Sequence, residues 1–223
     1  HTQGLRGPYL RMCHLEQDLV VYDVAKLLDN LFRGDRRIGN DEEFSKKVVL
    51  VDENEMTAVM MGFPTLKGLS RETPSTYVSV LLNQTAALHY IDVAQEFGLA
   101  GDVCPMPEAE LGVSIDDDAP ILGACAVQCN TTCDGSLMSN GGIAKRMELE
   151  DGIPIFQLAA PMRHREDDVQ DYAAQEIKNC IAFIEEKTGE KWDWDYYFEC
   201  AKRVNESTRH RMEWLDMNKT DYP

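Results

Sequence analysis

Apolar and polar positions divide the chain into short continuous apolar runs and longer stretches with helical periodicity. Three runs are almost entirely apolar and lie near Val48–Asp52, Ile121–Gln128 and Ile153–Ala159. Continuous runs of this length are typical of central parallel strands that are covered on both faces. We therefore predict at least three parallel strands in one sheet.

Helical spacing of apolar residues appears before, between and after these strands. It predicts helices over Leu19–Phe32, Tyr77–Gly98, Ser136–Glu150, Val169–Gly189, Trp194–Val204 and Ser207–Met217. Gly98 and Gly189 are expected helix ends, and Asp167 or Asp168 is the expected cap of the fourth helix. Gly141 and Gly142 should weaken the third helix. The two prolines that follow Cys104 predict an irregular loop.

The order of these elements indicates the fold class. A strand, a turn, a helix and a second strand follow one another between residues 121 and 159, which is the pattern of a βαβ unit. We predict an α/β fold of the Rossmann or flavodoxin-like type, with a parallel sheet, flanking helices and a C-terminal helical segment. The expected division is an N-terminal helical segment (1–45), an α/β domain (46–165) and a helical extension (166–223).

Charge and hydropathy exclude several classes of function. Acidic residues outnumber basic ones by 39 to 22, which gives a formal net charge of −17. Such a surface repels phosphate backbones, so we expect no binding to nucleic acid. No apolar run approaches the roughly 18 residues that span a bilayer, so no membrane segment is expected. Without an apolar segment near the N-terminus, the sequence favours a cytoplasmic protein.

The seven cysteines are the main candidates for chemistry. In a cytoplasmic protein, cysteines serve metals, redox chemistry or packing more often than disulfides. Cys133 follows the second predicted strand at the start of a helix, where exposed N–H groups favour a thiolate. Cys104 lies in a loop that leads back to the same sheet. Cys129, at the strand end, is either a ligand or a packing residue, and packing is expected for Cys125, Cys180 and Cys200.

The residues alone leave the kind of site open. Paired C-x-x-C motifs of a zinc ribbon and glycine-rich phosphate loops are both absent from the sequence. Arg163, His164 and Arg165 follow the third predicted strand and lie either near an anionic ligand or in a solvated loop. Glu53, after the first strand, has the same two interpretations. Spacing supports only a possible thiolate site at the carboxyl edge of a parallel sheet.

Several segments together carry a family resemblance. They are K-K-V-V-L-V-D-E-N, A-Q-E-F-G-L-A-G-D-V-C, Q-C-N-T-T-C-D-G, I-P-I-F-Q-L-A-A-P and F-I-E-E-K-T-G-E-K-W-D. In this order and separation, the chain resembles the D-component family of 2-hydroxyacyl-CoA dehydratases, which includes benzoyl-CoA reductase subunits. The resemblance covers roughly residues 46–217. The N-T-T-C-D-G turn and the F-I-E-E-K-T-G-E-K segment are its most specific parts.

The resemblance implies an iron–sulfur lyase. Subunits of this family have two similar α/β domains, and this chain is similar to the first. A [4Fe–4S] cluster in the cleft would take Cys104 and Cys133 as ligands, with Cys129 as a possible ligand and another from the second half or a partner. One low-potential electron from an ATP-dependent iron–sulfur activator would convert the acyl-CoA substrate to a ketyl radical that expels its hydroxyl group. A homologous dehydratase subunit is the other implied partner.

The chain also departs from the family pattern. Pro74-Ser75-Thr76 replaces a common P-E-N, and Met106, Glu108 and Met138 replace an aromatic residue, an arginine and a lysine. These departures favour an electron-relaying subunit or a divergent paralogue over the substrate-binding subunit. A benzoyl-CoA reductase-type subunit and a cluster-free α/β interaction module remain as alternatives.

Overall fold

A computed structural model describes residues 45–52, 57–71, 84–116, 123–129, 133–161 and 165–219. Its strands are β1 (Val48–Val51), β2 (Lys67–Ser70), β3 (Cys125–Cys129) and β4 (Ile155–Leu158). Its helices are α1 (Thr57–Met60), α2 (Gln84–Phe97), α3 (Pro105–Ile115), α4 (Asp134–Leu149), α5 (Asp167–Thr188) and α6 (Trp194–Met217). The predictions for Leu19–Phe32 and for the first part of Tyr77–Gly98 lie outside the described residues.

The four strands form one parallel sheet in the order β2-β1-β3-β4. Val49 pairs with Cys125, and Ala126 pairs with Ile155, which fixes the register of the central strands. The parallel α/β fold with a C-terminal helical segment is therefore confirmed. The edge strand β2 was not predicted, because its sequence K-G-L-S is short, half polar and partly exposed.

Both faces of the central strands are buried against helices. Val49, Val127 and Cys129 contribute to a core cluster on one face that includes Cys180 and Ile184 of α5. On the other face, the adjacent positions of β1 and β3 pack in a second cluster with residues of α2, α3 and α4. Continuous apolar sequence thus reflects burial on both sides, as expected for central parallel strands.

Prolines begin a helix after Cys104, contrary to the predicted irregular loop. Pro105 and Pro107 occupy the first turn of α3, where the backbone N–H that proline lacks has no intrahelical partner. Further along, Gly112 lets this helix pack closely against α2, because a Cβ there would overlap the carbonyl oxygen of Tyr90.

Glycines in α4 do not interrupt the helix. Gly142 faces α3, where a Cβ would lie only 2.9 Å from a methyl carbon of Leu111, so its small size permits close packing. Gly141 is exposed, with no atom within 4 Å of the position of a Cβ. Tertiary packing of the helix therefore overrides the low helix propensity of the Gly-Gly pair.

The C-terminal helices agree with the prediction in part. Glu166, not Asp167 or Asp168, is the N-cap residue of α5, and the helix ends at Gly189 in the left-handed region, as predicted. The two predicted helices after Trp194 form the single helix α6, of which no residue is buried. Cys200 is therefore half-buried and not part of a core. No helix in the described ranges is both long and apolar enough to cross a membrane.

Candidate functional site

The topology places a switch point between β1 and β3. The short helix α1, which follows β1, packs on one face of the sheet, whereas α4, which follows β3, packs on the other. At such a point the connections leave in opposite directions, and ligands of open α/β sheets bind in the resulting crevice beyond the carboxyl ends of the strands. Asp52 directly follows β1, and the segment leading to Cys133 follows β3.

Cys104 and Cys133 are the N-cap residues of neighbouring helices. Cys104 has extended backbone geometry and precedes α3, and its side chain is exposed. Cys133 has the same role at α4 and is half-buried. Both thiols therefore lie where four backbone N–H groups of a helix lack intrahelical partners.

A glycine contact brings the two helix starts together. Gly135 lies two residues after Cys133, in the first turn of α4. A Cβ at Gly135 would lie 2.7 Å from Cγ of Pro107 and 3.5 Å from Cβ of Cys104. Because Gly135 has no side chain, the first turn of α3 packs directly on the first turn of α4. The structure thus places Cys104 beside the helix that Cys133 caps.

The starts of the two helices present backbone N–H groups at this edge, beside the first-turn carboxylates Glu108 and Asp134. The backbone N–H of Ser136 donates to Sγ of Cys133 over 3.5 Å. The N-terminal ends of two helix dipoles also meet here, and each carries partial positive charge. Since the thiolate is the form of cysteine that binds metals, the arrangement suits metal ligation by sulfur.

Three other cysteines face away from this edge. Cys125, Cys129 and Cys180 belong to the apolar cluster between the sheet and α5. Burial raises the pKa of the Cys125 thiol to about 12, and burial with the neighbouring Cys125 and Cys129 raises that of Cys180 to about 12 as well. The predicted packing role of Cys125 agrees with this position. Cys129, the possible third ligand, lies in the same cluster.

Two accessible thiols form only part of a cluster-binding set. Among the residues that the structure describes, no group of three or more histidine, cysteine, aspartate or glutamate side chains could hold a metal ion. A [4Fe–4S] cluster takes cysteine thiolates as ligands, and Cys104 and Cys133 match this donor type. The two thiols therefore match the donor type of such a cluster but do not by themselves make up its ligand set.

The basic candidates after the third predicted strand are described only in part. Arg165 is exposed and precedes α5, on the side of the sheet where β4 ends. Arg163 and His164 lie outside the described residues, as do Glu53 and Pro74-Ser75-Thr76.

Sequence reasoning missed a buried polar network beneath the cysteine helices. It consists of Asp52, Arg71, Glu110 and Asn140, and all four side chains are at least nine-tenths buried. The available signal was a carboxylate directly after the apolar run V-V-L-V, because ligand-binding groups of parallel sheets follow strand ends. Arg71 could not be found in this way, because β2 itself was not predicted.

Comparison with known proteins supports the assignment from motifs. No curated protein matches the chain. The family model of the 2-hydroxyglutaryl-CoA dehydratase D-component matches residues 56–223, which includes both cysteine helices and the two C-terminal helices. The match covers most of the chain, and the protein therefore belongs to the 2-hydroxyglutaryl-CoA dehydratase D-component family.

Proposed function

We propose that this chain is an iron–sulfur subunit of a 2-hydroxyacyl-CoA dehydratase-like lyase. The observation that carries the proposal is the contact between Gly135 and Cys104. It brings the N-cap cysteines of two helices to the same edge of the sheet, at its topological switch point. Membership in the D-component family supports the reaction class.

The reaction removes water across two adjacent carbons of an acyl thioester. The hydroxyl group leaves from Cα and a proton leaves from Cβ, so the products are a 2-enoyl thioester and water. Because the Cβ proton is not acidic in the ground state, direct deprotonation by a carboxylate has a high barrier. An iron–sulfur cluster, when bound, supplies the single low-potential electron that this chemistry requires.

The residues of this chain hold and surround the reaction centre. Cys104 and Cys133 serve as thiolate ligands, and the adjoining helix N-termini stabilise their negative charge. Arg165, with Arg163 and His164, binds phosphate oxygens of the CoA moiety, for which guanidinium groups have suitable geometry. Local basic groups of this kind bind an anionic substrate even on a protein with a net charge of −17.

Two protein partners follow from the proposal. A homologous dehydratase subunit, or a second α/β domain, supplies another cluster ligand and closes the cleft. An ATP-dependent iron–sulfur activator provides the electron. Exclusion of water by the facing domain strengthens electrostatic interactions and protects the reduced state.

The test is anaerobic assay of the chain with its partner subunit and activator. We expect 2-hydroxyglutaryl-CoA or a related 2-hydroxyacyl-CoA to yield an enoyl-CoA, measured by liquid chromatography. Cys104→Ala and Cys133→Ala should each abolish turnover and lower iron content. Cys200→Ala is the matched control, because Cys200 is half-buried on α6, away from the sheet edge.

Other results identify the competing functions. Iron content and turnover that survive both substitutions would contradict the ligand assignment. Reduction of an aromatic thioester ring without water loss would indicate the reductase branch of the family. Stable association with a partner in the absence of iron and turnover would indicate an interaction module.

A further inference from the structure

A single buried carboxylate connects the strand end at the switch point to both cysteine helices. Asp52 is 1 % exposed. Its Oδ1 accepts a hydrogen bond from Arg71 Nη2 over 2.8 Å, and its Oδ2 accepts from Asn140 Nδ2 over 2.9 Å. The backbone N–H of Cys129 also donates to Oδ2 over 3.4 Å. Asp52 thereby contacts β2, β3 and α4.

The segment that carries Cys133 is held from both sides. Asn140 lies in the second turn of α4 and donates to the carbonyl oxygen of Cys129 over 3.2 Å, in addition to its bond with Asp52. Both main-chain polar groups of Cys129 are thus fixed where the chain leaves β3. Because Cys133 lies between Cys129 and Asn140, the position of its backbone depends on these bonds.

The helix that carries Cys104 is attached through the arginine. Nη2 of Arg71, the same nitrogen that bonds to Asp52, lies 3.2 Å from Oε1 of Glu110 on α3. Nη1 of Arg71 lies 3.7 Å from the sulfur of Met147 on α4. Arg71 therefore lies between the two cysteine helices and contacts both.

Stability alone does not require such a network. Well-packed apolar residues in place of a buried ion pair are often as stable or more stable, because desolvation of the charges offsets much of their attraction. The hydrogen bonds that Asp52 accepts from Arg71 and Asn140, in contrast, are directional and fix the relative positions of the groups that they join, and the ion pair of Arg71 with Glu110 extends this connection to α3. Functional constellations need this support, since ligands must be held within about 0.5 Å of productive geometry.

We propose that Asp52 is a positioning residue that, through Arg71, Glu110 and Asn140, fixes the separation of the Cys104 and Cys133 thiols. The inference rests on the proposed function in taking these thiols as ligands. Asp52 contacts neither thiol and acts through the two helices. Loss of the connection through Glu110 or of the connection through Asn140 should make the distance between the two thiols more variable, while the fold persists.

The test measures Cd²⁺ affinity in the absence of iron. Cd²⁺ binds thiolates and gives an ultraviolet charge-transfer band that carboxylates do not give. The full chain carries two further substitutions: Cys13→Ser, because Cys13 lies outside the described residues, and Cys200→Ser, because Cys200 is half-buried on α6. Affinity is measured by competition with a chelator. We expect one site, lost on Cys104→Ser or Cys133→Ser.

Glu110→Gln neutralises the ion pair with Arg71, and Asn140→Ala removes the hydrogen bonds to Asp52 and Cys129. Each should weaken Cd²⁺ binding about tenfold or more, as loss of outer-shell partners does elsewhere. Asp52→Asn should have the larger effect. Glu108→Gln is the matched control, because Glu108 is on the same helix, 2 % exposed, and bonds to Gln95 rather than to the network. Circular dichroism and urea unfolding verify that each variant is folded.

The outcomes separate this inference from the proposed function. If Glu110→Gln and Asn140→Ala bind Cd²⁺ as tightly as Glu108→Gln, the positioning role is wrong, whatever the iron content of the protein. If the thiol pair binds Cd²⁺ with the expected sensitivity but the complex with its partner takes up no iron, only the proposed function is wrong. If the chain with Cys13→Ser and Cys200→Ser gave no Cd²⁺–thiolate band at all, the positioning role would be wrong, and iron uptake by the complex with the partner would decide the proposed function separately.

Discussion

At the scale of single residues, burial separates the cysteines into two groups. Cys104 is exposed and Cys133 is half-buried, both at helix starts, whereas Cys125 and Cys180 are completely buried in one apolar cluster. Burial raises the pKa of each of the latter two thiols to about 12, so the thiolate form is rare at neutral pH. The buried pair therefore contributes packing, and the helix-capping pair is available to ligands.

The raised pKa of Cys180 predicts a pH-dependent stability. The unfolded chain ionises near the ordinary value of 9.0, whereas the native protein retains the proton to about pH 12. Above pH 9 the native state thus binds more protons, and the free energy of unfolding falls by about 1.4 kcal/mol per thiol by pH 10. Cys180→Ala should remove this part of the decrease, measured by urea unfolding in reductant at pH 7.5 and 10. Equal pH dependence in Cys180→Ala and wild type would contradict the prediction, and Cys200→Ala is the control.

Two glycines of α4 form a matched pair for testing the contact between the cysteine helices. Gly135→Ala should place a methyl group 2.7 Å from Pro107 Cγ and cost about 1–3 kcal/mol of unfolding free energy. Gly141→Ala meets no atom within 4 Å and should stabilise the helix by up to about 1 kcal/mol. Urea unfolding measures both effects. If the two substitutions had the same sign and size, the close approach of α3 and α4 would be wrong.

At the scale of elements, the sequence was informative where one physical effect dominated. Continuous burial makes β1 and β3 nearly apolar throughout, and β4 is largely apolar although only Leu158 of that edge strand is buried, so all three were predicted. The edge strand β2 was missed because K-G-L-S is neither apolar nor alternating in a recognisable way. Proline is tolerated in the first turn of a helix but interrupts its interior, so Pro105 and Pro107 are compatible with either a loop or a helix start. The structure decides between the two, because Cys104 is the N-cap residue of α3.

The candidate site was predicted to a similar extent, for similar reasons. Cys104 and Cys133 were found from local signals, namely a strand end, a helix start and a family motif. Arg71 and Glu110 are 19 and 58 positions away from Asp52 in sequence. They come together with Asp52 only through the strand order and the packing of α3. Long-range contacts of this kind leave no periodic pattern in a single sequence.

The backbone amides of helix α6 should be weakly protected from hydrogen exchange along most of the helix. Its 24 residues include none that are buried, and exposed apolar side chains extend from Trp194 to Met217. Its start is anchored, because Trp192, which packs against Phe63, also contacts the rings of Trp194 and Tyr197. Local opening costs little where few contacts are buried.

Hydrogen exchange with mass spectrometry tests this expectation. Peptides from residues 206–217 should exchange at least about tenfold faster than peptides around Cys180 and Ile184 of α5, which are fully buried. Peptides that cover residues 194–200 should have intermediate protection. Uniform slow exchange along α6 in the isolated chain would contradict the prediction.

At the scale of the whole molecule, the sheet topology determines which cysteine side chains one chain can offer as ligands at the switch point. The switch point brings Cys104, Cys133 and the Asp52 network to one edge, whereas the side chain of Cys129, the last residue of β3, is buried in the apolar cluster on the α5 face. Cys125 and Cys129 pack on this face against α5, which carries Cys180. Ligation by any of them at the switch point requires a rearrangement of the core.

This arrangement predicts that the isolated chain does not hold a stoichiometric [4Fe–4S] cluster. Two thiolates leave the cluster open to solvent, and metal sites gain affinity from a complete and shielded ligand set. Anaerobic reconstitution with iron and sulfide, in a Cys13→Ser background, should give well under four irons per chain, and the partner subunit should raise the iron content. Iron analysis and EPR after reduction measure the result. A stable four-iron cluster on the isolated chain, lost on Cys129→Ala, would instead show that Cys129 leaves the core and completes the ligand set from within this chain.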